Sequence, residues 1–249
     1  MFDYLFGKKT KKKQANNKSI NSKKKKGGKL NINLKNPSQQ ELNDINGVGK
    51  VVVLIKKKSF EETTTETGDF INGLLNGNGK RVIKSVENKR TITEKGYFKN
   101  GKLDGEGERS KPVMLYSGIF SDGIFISGKV FNKLSKLTEE GTFKVVDNWG
   151  NVELHGKGKK YGNFYLSEGI FEHGLLKSGK RENKSKHAKI VLEKGEFTID
   201  RREYDSNLKK GKRIFKDGTK EEGIFKTIYK YGDFEAYPVT TLEKKQKIF

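Results

Sequence analysis

Apolar and polar residues alternate with a period of two along most of this chain, and one stretch shows the pattern in its cleanest form. Thr93-Glu-Lys-Gly-Tyr-Phe-Lys-Asn-Gly-Lys-Leu-Asp-Gly-Glu-Gly107 has fixed points at Glu94, Gly96, Phe98, Asn100-Gly101, Leu103, Gly105 and Gly107. Two is the period of a half-buried strand. Asn-Gly between two such runs predicts a tight type I′ turn, because both central residues need positive φ and these two tolerate it best. Counting outward, Lys99 faces Lys102, Phe98 faces Leu103, Gly96 faces Gly105 and Glu94 faces Gly107. Phe98 and Leu103 then share a face on which the glycine pair leaves a slot for an aromatic ring from the neighbouring hairpin. Such a hairpin cannot bury its own apolar face, so it must stack.

The unit recurs. Glu66, Gly68, Phe70, Asn72-Gly73, Leu75, Gly77 and Gly79 repeat it position for position. Tyr116, Gly118, Phe120, Asp122-Gly123, Phe125 and Gly128 shorten the back half by one residue, as do Gly169, Phe171, His173-Gly174, Leu176 and Gly179. Phe143 and Leu154 flank a longer turn, and Phe197 and Phe225 open two further copies. Gly-x-Phe begins at Gly68, Gly96, Gly118, Gly141, Gly169, Gly195 and Gly223, an irregularity of loop length within a constant unit. Internal repetition at this spacing predicts a solenoid-like array.

The unit resembles the MORN repeat, whose pattern is Tyr-x-Gly-x-Trp/Tyr/Phe-x-x-Gly-x-x-x-Gly-x-Gly. Tyr116-Ser-Gly118-Ile-Phe120-Ser-Asp-Gly123 matches its front half, and Gly96 to Gly107 matches from its first glycine to its last. The resemblance covers about two thirds of the chain, residues 66 to 234. Glu replaces the leading Tyr in five of seven copies (Glu66, Glu94, Glu139, Glu193, Glu221), and the aromatic is always Phe. A ring without a polar handle packs well and hydrogen-bonds less, so ligands of other members are not carried over. The resemblance implies a scaffold of the kind found in cytoskeletal, membrane-proximal and dimerising assemblies.

Composition agrees with one thin sheet. Of 249 residues 29 are glycine and only 32% are apolar, too few for a thick globular core. No cysteine is present, so a disulfide framework and thiolate metal sites are excluded. No apolar run approaches the ~18 residues of a spanning helix, and the first residues lack the order of a secretory signal. An intracellular protein is expected, cytoplasmic, membrane-proximal or within an assembled particle, and neither secreted nor transmembrane.

Charge is concentrated at the start. Residues 1–30 carry eleven lysines against Asp3, +10 of the formal +22. A block of like charge without apolar periodicity is expected to be disordered alone. Lys8, Lys9, Lys11, Lys12, Lys13, Lys23, Lys24, Lys25 and Lys26 are its candidate anion contacts, and two partners fit them. Nucleic acid would bind by counterion release. An anionic membrane would attract the same lysines, and Phe2, Leu5 and Phe6 would enter its interface or dock onto protein.

Residues 31–60 read as an N-terminal cap. Leu30, Ile32 and Leu34 alternate as an edge strand, Asn36-Pro37-Ser38 is a turn or cap, Gln39 to Asn43 makes at most one helical turn, and Gly47 to Ile55 is a buried strand. The repeat array occupies 61–234, where Tyr229 to Phe234 reads as a closing strand. Residues 235–249 form a cap or tail whose pattern Pro238 breaks.

Other chemical motifs dissolve in the repeat. Gly123 to Lys129 and Gly174 to Lys180 have phosphate-loop spacing, but Val130 and Arg181 stand where a magnesium-binding Ser or Thr is required. His155, His173 and His187 lack metal-ligand spacing, and His173 occupies a turn position. The recurring glutamates predict a structural ladder balanced by lysines near the repeat ends, not a pair of carboxylates in unlike environments. Trp149, alone in the longest turn, is either a partner anchor or a ring folded back over the sheet.

The expected fold is all-β, an elongated single antiparallel sheet of about seven hairpins, with Phe70, Phe98, Phe120, Phe143, Phe171, Phe197 and Phe225 as its repeating core. The expected function is non-enzymatic scaffolding without cofactor, metal or small-molecule substrate. Its partners are other proteins, itself included as a homo-oligomer, and an anionic surface held by the arm. A nucleic-acid packaging protein and a peripheral membrane module are the alternatives.

Overall fold

Asn72-Gly73, Asn100-Gly101, Asp122-Gly123 and His173-Gly174 are tight turns. In the computed structural model, which describes residues 29–58, 60–148, 150–201, 205–231 and 236–245, Asn72, Asn100, Asp122 and His173 have φ of 49°, 49°, 49° and 53°. Gly73, Gly101, Gly123 and Gly174 follow at 78°, 74°, 80° and 70°, so both central residues lie at positive φ. Lys8 to Lys26, Phe2, Leu5, Phe6 and Trp149 lie outside the described residues.

The turns join strands into one sheet that follows chain order throughout. A cap precedes the hairpins, with β1 (Leu30–Lys35), α1 (Gln39–Asn43) and β2 (Gly47–Lys57). The seven hairpins are β3 (Phe60–Ile71) with β4 (Leu74–Ser85), β5 (Arg90–Lys99) with β6 (Lys102–Ser110), and β7 (Met114–Ser121) with β8 (Ile124–Asn132). Then come β9 (Thr138–Val145) with β10 (Val152–Tyr161), β11 (Tyr165–Glu172) with β12 (Leu175–Asn183), β13 (Ile190–Asp200) with β14 (Asp205–Phe215), and β15 (Lys220–Tyr231) with β16 (Ala236–Lys245). Every pairing is antiparallel except β1 with β2. Among the described residues no helix is long and apolar enough to cross a membrane.

The register departs from simple counting. Lys99 faces Lys102 and Phe98 faces Leu103 as expected, but Gly96 faces Gly107 and Glu94 faces Arg109. A bulge supplies the slip: Tyr97 alone spans Asp104, Gly105 and Glu106, with Gly105 at φ 115°. The β3–β4 and β9–β10 hairpins have the same wide bulge. The shortened copies have one extra residue instead of two: Ile119 faces Ser127 and Phe120 faces Phe125, leaving Ile126 unpaired. A bulge thus absorbs the length difference and keeps glycine opposite glycine.

The same pairing continues between hairpins, since Gly79 faces Gly96, Gly107 faces Gly118, and Gly128 faces Gly141. From Gly49 on β2 to Gly223 on β15, every strand contributes one glycine to an unbroken row across the sheet. The backbones approach too closely there for any side chain: a Cβ on Gly118 would stand 2.1 Å from the Ser127 carbonyl oxygen and 2.8 Å from the Gly128 Cα.

The sheet folds along this row. Arg81 faces Glu94, yet its Nη2 lies 2.6 Å from the carbonyl oxygen of Gly101, seven residues further along the chain in the turn after β5. In a flat strand seven residues span about 23 Å, several times an arginine's reach. The two arms of the sheet therefore close on each other, and a single layer acts as its own second layer. This buries the seven repeat phenylalanines, from 0% exposure at Phe98 to 8% at Phe143, along with Leu75, Leu103, Leu154, Leu176 and Leu208. The slot over the glycines is filled chiefly by leucine of the same hairpin rather than by the neighbour's ring: a Cβ on Gly107 would meet Leu103 Cδ2 at 3.1 Å and Phe120 Cδ2 at 3.6 Å.

The cap imitates a preceding hairpin. Within the array the turn glycine donates to the leucine carbonyl of the hairpin before it, Gly101 N to Leu75 O at 2.9 Å and Gly123 N to Leu103 O at 2.8 Å. At the N-terminal end Gly73 N donates to buried Ile45 O at 2.8 Å. The short helix carrying the chain there is held by a Ser38–Glu41 capping box. At the other end β16 runs through Pro238, opposite Tyr229, so the expected break is absent. Proline lacks an N–H, and an edge strand has an unpaired side on which that loss costs nothing.

Gly118→Ala is expected to destabilise the protein by about 3 kcal/mol, through collision and positive φ together. Gly218→Ala, at φ 88° with nothing within 4 Å of its Cβ, should cost about 1 kcal/mol, from φ alone. Urea melts followed by circular dichroism compare them; equal losses would mean that the row is not a steric seam.

Candidate functional site

Two residues from the glycine row, on the arm away from the hairpin turns, runs a second ladder. Glu66 faces Arg81, Arg81 faces Glu94, and Glu94 faces Arg109. Further along, Arg181 faces Glu193, Glu193 faces Arg213, and Arg213 faces Glu221. Arg81 Nε lies 2.6 Å from Glu66 Oε1 and its Nη1 3.1 Å from Glu94 Oε2, while Arg109 Nε lies 2.7 Å from Glu94 Oε1. Glu193 receives Arg181 Nε at 3.0 Å and Arg213 Nη2 at 3.0 Å.

These ions are inside the fold. Side chains of Glu66, Arg81, Glu94, Glu193 and Arg213 are all below 10% exposed. Each guanidinium also lies over a ring of the opposite arm: Arg81 Cζ is 5.3 Å from the Phe98 centroid, Arg109 5.0 Å from Phe120, Arg181 5.3 Å from Phe197 and Arg213 4.7 Å from Phe225. Remaining donors reach backbone carbonyls of the facing arm, Gly101 from Arg81, Gly123 from Arg109 and Ser206 from Arg181. Burial of an ion pair is tolerated where hydrogen bonds satisfy the remaining donors, and these arginines have them.

The ladder changes chemistry in the middle, at Tyr116, Val130, Glu139, Lys160 and Ser167. There Phe125 replaces the recurring leucine. Its ring meets Tyr116 at 5.4 Å, Phe120 at 5.2 Å and Phe143 at 5.1 Å, so rings fill the space that guanidinium groups occupy elsewhere. Lys160 takes the arginine's part, 3.0 Å from Glu139 and donating to Gly174 O at 3.2 Å.

The glutamates expected as a ladder are thus in one, but arginine rather than lysine balances most of them. The signal was Gly-x-Arg, which recurs at Gly79-Lys-Arg81, Gly107-Glu-Arg109, Gly179-Lys-Arg181 and Gly211-Lys-Arg213. Lysines next to the glycine row point to the outer face. Lys80 faces Lys95, and Lys194 faces both Lys180 and Lys212. Lys129 is drawn up by its hydrogen bond to Glu140, whose carboxyl is held below its ordinary range by Lys129 and Tyr161.

Both phosphate-loop lookalikes run from a turn into a strand. Gly128 and Gly179 belong to the glycine row, and Lys129 and Lys180 pair with Glu140 at 2.7 Å and Glu182 at 2.9 Å. His155 and His173 bring their rings to 6.4 Å, with His173 Nδ1 3.4 Å from Glu153 Oε2. Among the described residues no group of three or more His, Cys, Asp or Glu side chains is placed to hold a metal ion. A shallow depression of about 430 Å³ opens between Thr198, Asp200, Asn207, Lys209, Ile224 and Glu243. Where the ladder ends near the sheet margin, burial and the neighbouring Arg109 and Arg90 pull the Lys111 amine below its ordinary value.

Glu94→Ala strips two arginines of a shared partner and is expected to cost about 3–5 kcal/mol. Glu108→Ala, exposed on the outer face, should cost under about 0.5 kcal/mol. Thermal melts of both variants decide, and a loss at Glu94 as small as at Glu108 would mean that the ladder is solvated. A scan of the chain against protein-family models finds no match and a comparison with curated proteins finds no significant one, so the likeness to MORN repeats rests on the residues quoted above.

Proposed function

We propose that this chain is a non-enzymatic scaffold that docks partner proteins through its repeat sheet and holds an anionic surface through its lysine-rich arm. The observation that carries this reading is where the recurring ionisable residues go. Glu66, Arg81, Glu94, Glu193 and Arg213 neutralise one another inside the fold. A catalytic array would direct such groups into a cleft with unlike environments.

What stays available is surface. The outer face bears Tyr97, Ile119, Ile170 and Ile224, each at least 40% exposed, one residue past the glycine row. On the other side of that row lysines and glutamates mix, with Lys80, Lys95, Lys129 and Lys194 among Glu108, Glu140 and Glu168. An open sheet also ends in two strand edges, and an unpaired edge can accept a strand from a second copy. The residues that precede β1 in the sequence carry +10 of charge, so tethering and docking reside in different parts of one chain.

Light scattering on full-length protein is expected to report a dimer or larger species. Duplex DNA should bind weakly at low salt, with a log–log salt slope near −5 if about six lysines engage. The joint replacement Lys8→Gln, Lys9→Gln, Lys11→Gln, Lys12→Gln and Lys13→Gln should weaken that binding and leave the oligomer intact. A monomer whose DNA binding survives both high salt and the replacements would make the sheet a nucleic-acid surface and overturn the scaffold reading.

A further inference from the structure

We infer that the outer face of the sheet docks acidic segments of a partner protein, at two places beside the glycine row where lysine stands opposite lysine. This rests on the proposed docking of partners by the sheet and names the chemistry of what it docks.

One residue from each glycine of the row, on the arm away from the hairpin turns, a line of outward side chains crosses the array. In its middle the line alternates in sign, with Lys129, Glu140, Lys159, Glu168 and Lys180 on successive strands. Lys129 lies 2.7 Å from Glu140 and Lys159 lies 3.2 Å from Glu168, so the charges there satisfy one another. Toward both ends the alternation fails. Lys80 on β4 faces Lys95 on β5, and Lys194 on β13 stands between Lys180 on β12 and Lys212 on β14.

Like charges directly opposite each other destabilise a sheet. Of these five lysines Lys180 alone is held by a carboxylate among the described residues, Glu182 at 2.9 Å. Glu108 faces Lys95, Glu222 faces Lys212 and Glu196 faces Lys210, but none of the three closes an ion pair. Lys80, Lys95 and Lys194 are exposed. The free sheet thus carries repulsion at two sites that it relieves everywhere between them, and carboxylates from outside would relieve it there too. Tyr97, 48% exposed and two residues from Lys95 on the same face, adds a ring of the kind that anchors protein contacts. A protein can set carboxylates over the lysine sites and other groups over the span between. Nucleic acid or a bilayer presents phosphate throughout, and Glu108, Glu140 and Glu168 repel it along the same line.

The probe is an N-acetylated oligoglutamate peptide, coupled to the full-length protein by a carbodiimide that joins carboxylates to the amines they touch, with the joined lysines identified by peptide mass spectrometry. Lys80, Lys95, Lys194 and Lys212 should couple several-fold more than Lys129 and Lys159, whose side chains are 53% and 48% exposed but held by glutamates. The double variant Lys80→Glu, Lys194→Glu restores alternation at both sites. It should raise the thermal midpoint by about 2–4 °C and lower coupling at Lys95 and Lys212 about tenfold. Opposite signs for stability and binding separate a docking site from lysines that serve the fold. Coupling confined to the lysines before β1, or equal at paired and unpaired lysines, overturns the inference and leaves the scaffold reading, which light scattering decides separately. A thermal midpoint that falls in the double variant overturns it, because the lysines would then stabilise the sheet as they stand. Phosphatidylserine vesicles that displace the peptide from these four lysines better than free oligoglutamate does overturn it as well, and duplex DNA that does so overturns the scaffold reading with it.

Discussion

Close approach of backbones along the glycine row is the constraint on which everything else depends. A carbonyl about 2 Å from where a Cβ would sit leaves no room for alanine at most positions of the row. Because each strand brings its glycine to the same line, the sheet folds there as a whole. The fold turns one sheet into two facing arms and gives a chain with 32% apolar residues an interior. The bulges serve this line: two extra residues in the longer copies and one in the shorter bring glycine back opposite glycine whatever the hairpin length.

The interior that results is laminated. Phenylalanine and leucine from the turn-side arm lie under guanidinium groups from the other, and those groups pair with glutamates and with carbonyls across the fold. Each phenylalanine contributes roughly 2 kcal/mol by burial. Glu94 and Glu193 are each shared by arginines of the two strands beside them, so stability spreads along the array and passes from hairpin to hairpin. At the centre, where tyrosine, valine and serine enter the ladder, ring packing around Phe125 supplies the contact that charge supplies elsewhere.

With its periodic charges engaged internally, the molecule meets its surroundings through aperiodic residues. Exposed apolar side chains stand on the outer face and at both margins, Ile71, Leu74 and Val146 by the hairpin turns and Val86, Leu134 and Phe164 in the links between hairpins. The two margins differ in backbone, and the difference has a local cause. Tight turns require residues that accept positive φ, which confines them to Asn, Asp, His and Gly, whereas the looser links are free to carry lysine and aliphatic tips.

Much of the fold was legible in the chain. Alternation and Asn-Gly pairs determined the strands, the turns and which residues share a face, since these are matters of period and local φ. Phe98 opposite Leu103 and the one-turn helix after Ser38 followed from the same local rules. Beyond the turn, counting failed: Gly96 meets Gly107 because a bulge inserts residues, and whether a strand bulges depends on the strand beside it. The arginines of the ladder recur visibly as Gly-x-Arg, but their role depends on two arms of the sheet meeting, which no single repeat encodes. Pro238, read alone, ends a strand; at a sheet edge it ends nothing. The sequence by itself thus determined the repeating unit, through periodicity and turn chemistry, while only the tertiary structure decided the fold along the glycine row and the burial of charge within it, because both arise between units that are distant in the chain.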